Sequence, residues 1–410
     1  MNTARSASVA GCIRKCFSIR QWNRPVRTKY WPAFGAFVAL LAFVSACSSS
    51  GSGASAEPAG TTQGGTSNNQ CATQAAALAK KALAVPPQNT LYPSGHVDAA
   101  QAAGKTYWII LLTADDLEEQ AYAKGFVAAA TSVGANARIF DGQGSPTTIV
   151  QGVDDAIASK AAGVVTVGIA TSMVSGPLAA AAAAHIPYVD GYNGVTSGGG
   201  FPNGDDGHAT PSQTAGGTIQ GYYAVNLTGC ATHAAIVGSS SSPGNLLQTN
   251  ANKAAIASLC PATCTSTSVD VQPADVPTQL TSLMQSTLQR NPDINVVITG
   301  SDFYVPYILK AESNLNRKVP IVSSGGDDIA GAQSGNGIVA EMLAPPAQDL
   351  GWYFFDAMLL AATGQTNFVV TWPYSIVDKA TWGTSPDFTK IQPEFDNYQS
   401  VFEKLWGVAK

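Results

Sequence analysis

From Thr106 onward the chain alternates short apolar runs with longer helical patterns, and no other feature constrains its fold so strongly. Residues 107–112 (YWIILL) form a continuous apolar run, as expected of a strand buried on both faces of a parallel sheet. Residues 115–133 follow with Leu117, Tyr122, Phe126 and Val127 at helical spacing, acids in the first turn and Gly134 as a stop. Strands are predicted over 137–140, 163–169 and 186–189, with helices over about 147–162 and 174–184. A Gly-rich stretch, 191–207, then interrupts the rhythm and reads as a long functional loop. A second series starts with a helix near 212–227, and its predicted strands are 234–237, 268–271, 294–299, 319–322 and 338–342. The helices between and after them are predicted near 245–259, 277–290, 305–314 and 348–362. Two series predict two α/β lobes, each a parallel sheet covered by helices. Open sheets of this kind take ligands beyond the carboxyl ends of their strands, so the residues after each strand are the candidates.

The N-terminus reads differently. Residues 1–46 carry seven Lys and Arg, no acid, and a short apolar run at 34–46 (FGAFVALLAFVSA). Thirteen residues of helix reach about 20 Å, short of the hydrocarbon core, so the segment is expected to be a cleaved export signal. Val44-Ser45-Ala46-Cys47 resembles a bacterial lipobox, which implies lipidation of Cys47. Residues 47–70 are expected to be a Ser/Gly/Thr tether reaching about 25–30 Å, and 71–105 an N-terminal extension. The expected address is therefore outside the cytoplasmic membrane, either on its outer face through a lipid anchor alone or in the periplasm. Without residues 1–46, 15 Lys and Arg face 27 Asp and Glu. A body that acidic repels phosphate polymers, which excludes nucleic acid as a partner. Cys71, Cys230, Cys260 and Cys264 remain for disulfides in an exported chain. Cys260–Cys264 is favoured because Pro261 keeps CPATC in a turn, though three connectivities are open. Zinc is the weaker alternative, since His96, His185, His208 and His233 are scattered and read as surface or capping residues.

Catalytic motifs fail on context. Ala99 through Gly104-Lys105-Thr106 fits a relaxed phosphate-loop pattern, but it precedes a strand instead of following one. There is no G-x-S-x-G elbow and no H-E-x-x-H. The adjacent pairs Asp115/Asp116, Asp154/Asp155, Asp205/Asp206 and Asp327/Asp328 are chain neighbours, whereas paired acid-base work needs carboxyls from separate elements. No enzyme activity and no cofactor are expected.

Several segments in order resemble the type I periplasmic sugar-binding proteins of ABC importers. They are residues 123–130 (AKGFVAAA), 150–157 (VQGVDDAI), 185–190 (HIPYVD), 210–221 (TPSQTAGGTIQG), 272–275 (QPAD) and 291–293 (NPD). The resemblance implies two Rossmann-like lobes joined by a three-crossing hinge, with crossings near 210–212, 343–346 and 370–374. It divides the body into 106–210 plus 346–371 and 211–345 plus 372–410. It also implies a small-molecule solute between the lobes and a membrane permease as partner.

Carried over position by position, the resemblance places ligand contacts in the loop after the first strand. There Asp115, Asp116, Glu119 and Gln120 stand where that family often has Asn and Phe. Asp190 matches its Asp after the fourth strand, Gln248 falls near its Arg after the fifth, and Asp275 lies at the sixth-strand segment. Asp302 matches the acid after the seventh strand, and Asp327 lies two residues beyond the position expected after the eighth. Ring stacking is expected from Tyr192, Phe303, Tyr304 or Trp372. Glu118 and Glu119 read equally well as a solvated first helical turn. The body's Arg residues are Arg138, Arg290 and Arg317, none in a predicted binding loop, so an anionic ligand lacks its usual partner. The expected ligand is a neutral sugar or polyol, with a cationic amine as the alternative, and the alternative role is a ligand-sensing receptor for a membrane signalling protein.

Overall fold

The computed structural model describes residues 63–84, 91–93, 95–194, 204–325, 337–343, 347–378, 380 and 397–408. The signal at 1–46, Cys47, the tether to residue 62 and Asp327 lie outside the described residues. Among the described residues, no helix is long and apolar enough to cross a membrane.

In chain order the helices are α1 (Gln63–Ala82), α2 (Leu117–Ser132), α3 (Pro146–Ala158), α4 (Ser175–Ala183), α5 (Gln213–Leu227), α6 (Pro243–Leu259), α7 (Val276–Arg290), α8 (Val305–Asn314), α9 (Ala347–Ala362) and α10 (Tyr398–Leu405). The strands are β1 (Thr106–Leu111), β2 (Asn136–Asp141), β3 (Gly163–Val167), β4 (Tyr188–Gly191), β5 (Gly207–Ala209), β6 (His233–Gly238), β7 (Thr265–Asp270), β8 (Val296–Thr299), β9 (Ile321–Gly325), β10 (Ile338–Leu343), β11 (Phe368–Val370) and β12 (Ser375–Asp378).

They form two six-stranded sheets. Lobe 1 has the order β11-β5-β4-β3-β1-β2 and is parallel throughout. Lobe 2 has the order β12-β10-β9-β8-β6-β7, with β12 running antiparallel at its edge. The central strands are mainly apolar and, apart from half-buried Thr106 at the start of β1, buried along their length because helices cover both faces. In lobe 1, α2 and α9 meet backbone to backbone. A Cβ on Gly125 would stand 1.9 Å from the Gln348 carbonyl oxygen, and one on Gly351 2.3 Å from the Phe126 nitrogen. Lobe 2 repeats the device, where a Cβ on Gly217 in α5 would stand 2.2 Å from the Gln248 carbonyl oxygen in α6. Only glycine admits such an approach.

The chain passes between the sheets after β5, after β10 and between β11 and β12, at the three expected crossings. Its ends differ from expectation. α1 begins at Gln63, inside the stretch expected to be tether, and its Cys71, Ala75, Ala79 and Ala82 stripe is buried in the lobe 2 core. The segment after it returns to lobe 1, where Val97, Ala99 and Ala102 are buried. The C-terminal helix, expected on lobe 2, buries Phe402 and Trp406 in the lobe 1 core. The Trp406 indole stacks on Trp352 at 5.2 Å and donates to Asp356 Oδ1 at 2.7 Å, partners that only lobe 1 supplies. Among the described residues two disulfides are present: Cys260–Cys264, and Cys71–Cys230, which fastens α1 to the end of α5.

Candidate functional site

Residues from both sheets' carboxyl ends line one cleft that opens to solvent. The lobes meet around it. A Cβ on Gly144 would lie 2.8 Å from the Ala274 nitrogen, and one on Gly244 2.8 Å from the Tyr192 carbonyl oxygen.

Lobe 1 contributes the turn after β1 and the first turns of α2. Asp116 caps α2, accepting the Glu118 N–H at 2.9 Å. Helical geometry then puts Glu118 and Tyr122, four residues apart, on one face, and the Tyr122 hydroxyl donates to Glu118 Oε1. Glu119 Oε2 accepts the Thr113 N–H at 3.0 Å. Asp116, Glu118 and Glu119 are all buried, which removes the reading of a solvated first turn. Tyr192, just past β4, adds a ring held at φ +72°, a conformation bulky residues adopt only where their surroundings impose it. Its N–H bonds the Ala209 carbonyl at 2.9 Å and its carbonyl accepts from Gln213 Nε2 at 2.7 Å.

Lobe 2 contributes Ser242 and Asn245 at the start of α6 and residues 300, 301, 303 and 304 after β8. Asp302, fully buried between them, accepts from the Ser323 hydroxyl. At the end of β9, a Cβ on Gly325 (φ +143°) would lie 2.6 Å from Asp302 Oδ2 and 3.3 Å from Glu118 Oε2. Glycine there leaves room for carboxylates of the two lobes to converge.

The electrostatics follow from burial. Asp116 is pushed up to about 7, chiefly by desolvation; backbone donors oppose the shift and the Asp302 charge adds to it. Glu119 rises well above the usual carboxylate range for the same reason, with the Asp116 charge adding. Tyr122 and Tyr192 also rise by burial and stay protonated donors. Among the described residues, none that lines the cleft is Lys or Arg.

The structure thus brings together Asp116, Glu119, Tyr192, Phe303 and Tyr304 on the lining, with Asp302 immediately behind it. It leaves the other expected residues elsewhere. Asp115 is exposed, and Gln120 turns back to the Ala114 carbonyl at 2.7 Å. Asp275 flanks α7, half-buried and outside the lining. Gln248 stands behind the cleft and donates to Gln220 at 3.0 Å. Gln220 in turn holds the Thr299 and Ser323 carbonyls at 3.2 and 2.9 Å. Trp372 packs in the lobe 1 core against Tyr353 at 5.3 Å. Asp190 points away from the lining to Asn193 Nδ2 at 2.5 Å and His208 Nδ1 at 3.5 Å. Burial holds Asp190 up at about 7 although His208 draws it down. His208, expected at the surface, is buried between Asp190 and Asp205. Tyr122 and Asn245 are lining residues that sequence reasoning missed. The i, i+4 spacing of Glu118 and Tyr122 was the available signal for the first.

A family model for the periplasmic binding protein domain matches residues 108–366. The chain belongs to the periplasmic binding protein family. Solved structures share the fold of this member at low identity. A glucose-galactose binding protein from Geobacillus stearothermophilus is 16% identical with a TM-score of 0.60, covering 68% of this chain and 99% of its own. An ABC transporter solute-binding protein from Agrobacterium vitis, bound with α-D-tagatopyranose, is 18% identical with a TM-score of 0.59, covering 68% and 96%. One from Mycobacterium smegmatis with bound glycerol is 22% identical with a TM-score of 0.59, covering 68% and 95%. No curated protein matches the chain.

Proposed function

We propose that this periplasmic binding protein is the extracytoplasmic solute receptor of an ABC importer, closing its lobes around a sugar or polyol. The observation that carries this reading is the convergence of Asp116, Glu118, Tyr122 and Asp302 from the two lobes on one cleft rimmed by Tyr192 and Phe303. Carboxylate oxygens accept hydroxyl hydrogens and ring faces cover the C–H surface of a sugar. A ligand touching both lobes stabilises the closed state more than the open one. The related structures with bound tagatose and glycerol support a polyhydroxyl ligand. Export by the signal at 1–46 and lipidation at Cys47 would hold the receptor beside its permease, and binding occurs without turnover.

The test is thermal shift of the purified protein against sugars, polyols and amines, since a ligand that binds only the native state raises the midpoint. Neutral hexoses, pentoses or polyols are expected to raise it. Asp302→Asn is expected to remove that rise, and Tyr122→Phe to weaken binding about tenfold by loosening Glu118. Silence from every compound would overturn the receptor reading. A second reading, a cationic amine ligand, is favoured by one observation: among the described residues of the lining, no Lys or Arg stands beside the clustered carboxylates. A rise with amines alone would establish it in place of the sugar.

A further inference from the structure

Outside the cleft, the parallel pairing of β4 and β5 sets Asp190 beside His208, and Asp205 stands three residues before His208. Strand alternation turns Val189 and Ala209 into the core shared with α2 and α9, so Asp190 and His208 face the sheet's other side. The ring of His208 lies between two carboxylates. Its Nε2 is 2.8 Å from Asp205 Oδ2 and its Nδ1 is 3.5 Å from Asp190 Oδ2, with side-chain exposures of 8% for the histidine, 1% for Asp205 and 5% for Asp190. One ligand atom from each of the three lies within 4.8 Å of the others. Asp205 Oδ1 is buried with no hydrogen-bond partner. Asn193 donates to Asp190 Oδ1 and to the Ile169 carbonyl at 2.7 Å, and its own Oδ1 is likewise buried without a partner.

Two buried carboxyl groups converge on one imidazole, and a buried carboxyl oxygen left without a partner is costly. We propose that Asp190, Asp205 and His208 bind a divalent metal ion of the zinc class on lobe 1, separate from the solute cleft. Two carboxylate oxygens and one imidazole nitrogen suit a borderline ion that accepts both donor types, where calcium and magnesium prefer oxygen alone. Three protein ligands leave a fourth position for water, and Asn193 orients Asp190 from behind as outer-shell partners of metal ligands do. The ion would tie β5 to β4 at the point where the chain leaves for lobe 2, as Thr210 follows β5 directly.

The experiment is equilibrium dialysis of the full chain, untagged, stripped with chelator and with residual thiols alkylated, against Zn²⁺, with metal counted by mass spectrometry. One Zn²⁺ per chain is expected, with affinity falling at least about tenfold in Asp205→Asn and in His208→Gln. Wild-type protein that retains no zinc, or variants that bind it as tightly as wild type, would overturn the site. Should both variants fail to fold, anomalous scattering from zinc-soaked wild-type crystals decides: a peak between the three side chains supports the site, and a peak only elsewhere, or none, refutes it.

Discussion

The two lobes share a topology but secure it with different chemistry. On the face of the lobe 1 sheet covered by α9 the core is rich in rings, whereas the opposite face is mainly aliphatic: α9 buries Trp352, Tyr353, Phe354 and Phe355, and the C-terminal segment adds Phe402 and Trp406. These rings pack edge to face and stacked, as in Phe355 on Trp406 at 5.6 Å and Tyr353 on Phe402 at 5.0 Å. The cores of lobe 2 are built largely of Val, Ile, Leu, Met and Ala, with Tyr223 and Tyr304 as their buried rings. That lobe instead carries both disulfides. Each lobe must hold a terminal helix that lies outside its alternating βα series. Lobe 1 holds α10 by ring area and an indole hydrogen bond, whereas lobe 2 holds the Ala-rich α1 by a covalent link. An alanine stripe buries too little apolar surface to retain a helix unaided, which gives the Cys71–Cys230 bond its role.

This contrast can be broken experimentally. The largest effect is expected from Cys71→Ser. The bond closes a separation of 159 residues, and loops of that order contribute about 5 kcal/mol, so hydrogen exchange should rise across α1, α5 and β6 while lobe 1 stays protected. Equal loss of protection in both lobes would show that they do not unfold separately. Next is Trp406→Ala, expected to cost about 3–5 kcal/mol and to expose α9 and α10 while α1 remains protected. Denaturant unfolding of the two variants distinguishes the covalent from the aromatic anchor, because only the first resembles the reduced wild type.

The smallest effect is the pH dependence. Asp116 in lobe 1 sits at about 7, and Asp356, buried behind Trp406, at about 6. Unfolded carboxyls titrate near 4. Between those values the folded chain holds protons that the unfolded chain has released, so stability falls as pH rises and the loss is complete above about 7. Lobe 1 is expected to be less stable at pH 8 than at pH 5 by at least about 1.4 kcal/mol, the equivalent of a tenfold difference in proton affinity between the folded and unfolded chain. Calorimetry at the two values checks it, and a higher midpoint at pH 8 would contradict the burial of these groups.

The longer strands and their helices were legible because an apolar run between helical periods has few other solutions. β5, β11 and β12, of three or four residues each, were too short to leave a pattern and exist through pairing with neighbours. The start of α1, residues 63–70, holds only Gly, Ser, Thr, Asn and Gln and reads as tether; the face that holds the helix belongs to lobe 2. In the cleft, Asp116, Glu119 and Asp302 were legible from their places just after strands. Asp190 occupies such a place too, but it lies within β4, where alternation turns it to the far side of the sheet. Glu118 and Tyr122 needed the helix to be in place before their spacing had meaning.

By itself the sequence determined two α/β lobes and an acidic, arginine-poor body, because hydrophobic period and charge inventory are local properties of a chain; the three hinge crossings were what its resemblance to the periplasmic sugar-binding proteins implied. Only the tertiary structure decided which carboxylates converge in the cleft, which lobe keeps each chain end, and that His208 stands between Asp190 and Asp205. Those outcomes depend on side chains far apart in sequence meeting at one point, and no local pattern encodes such a meeting.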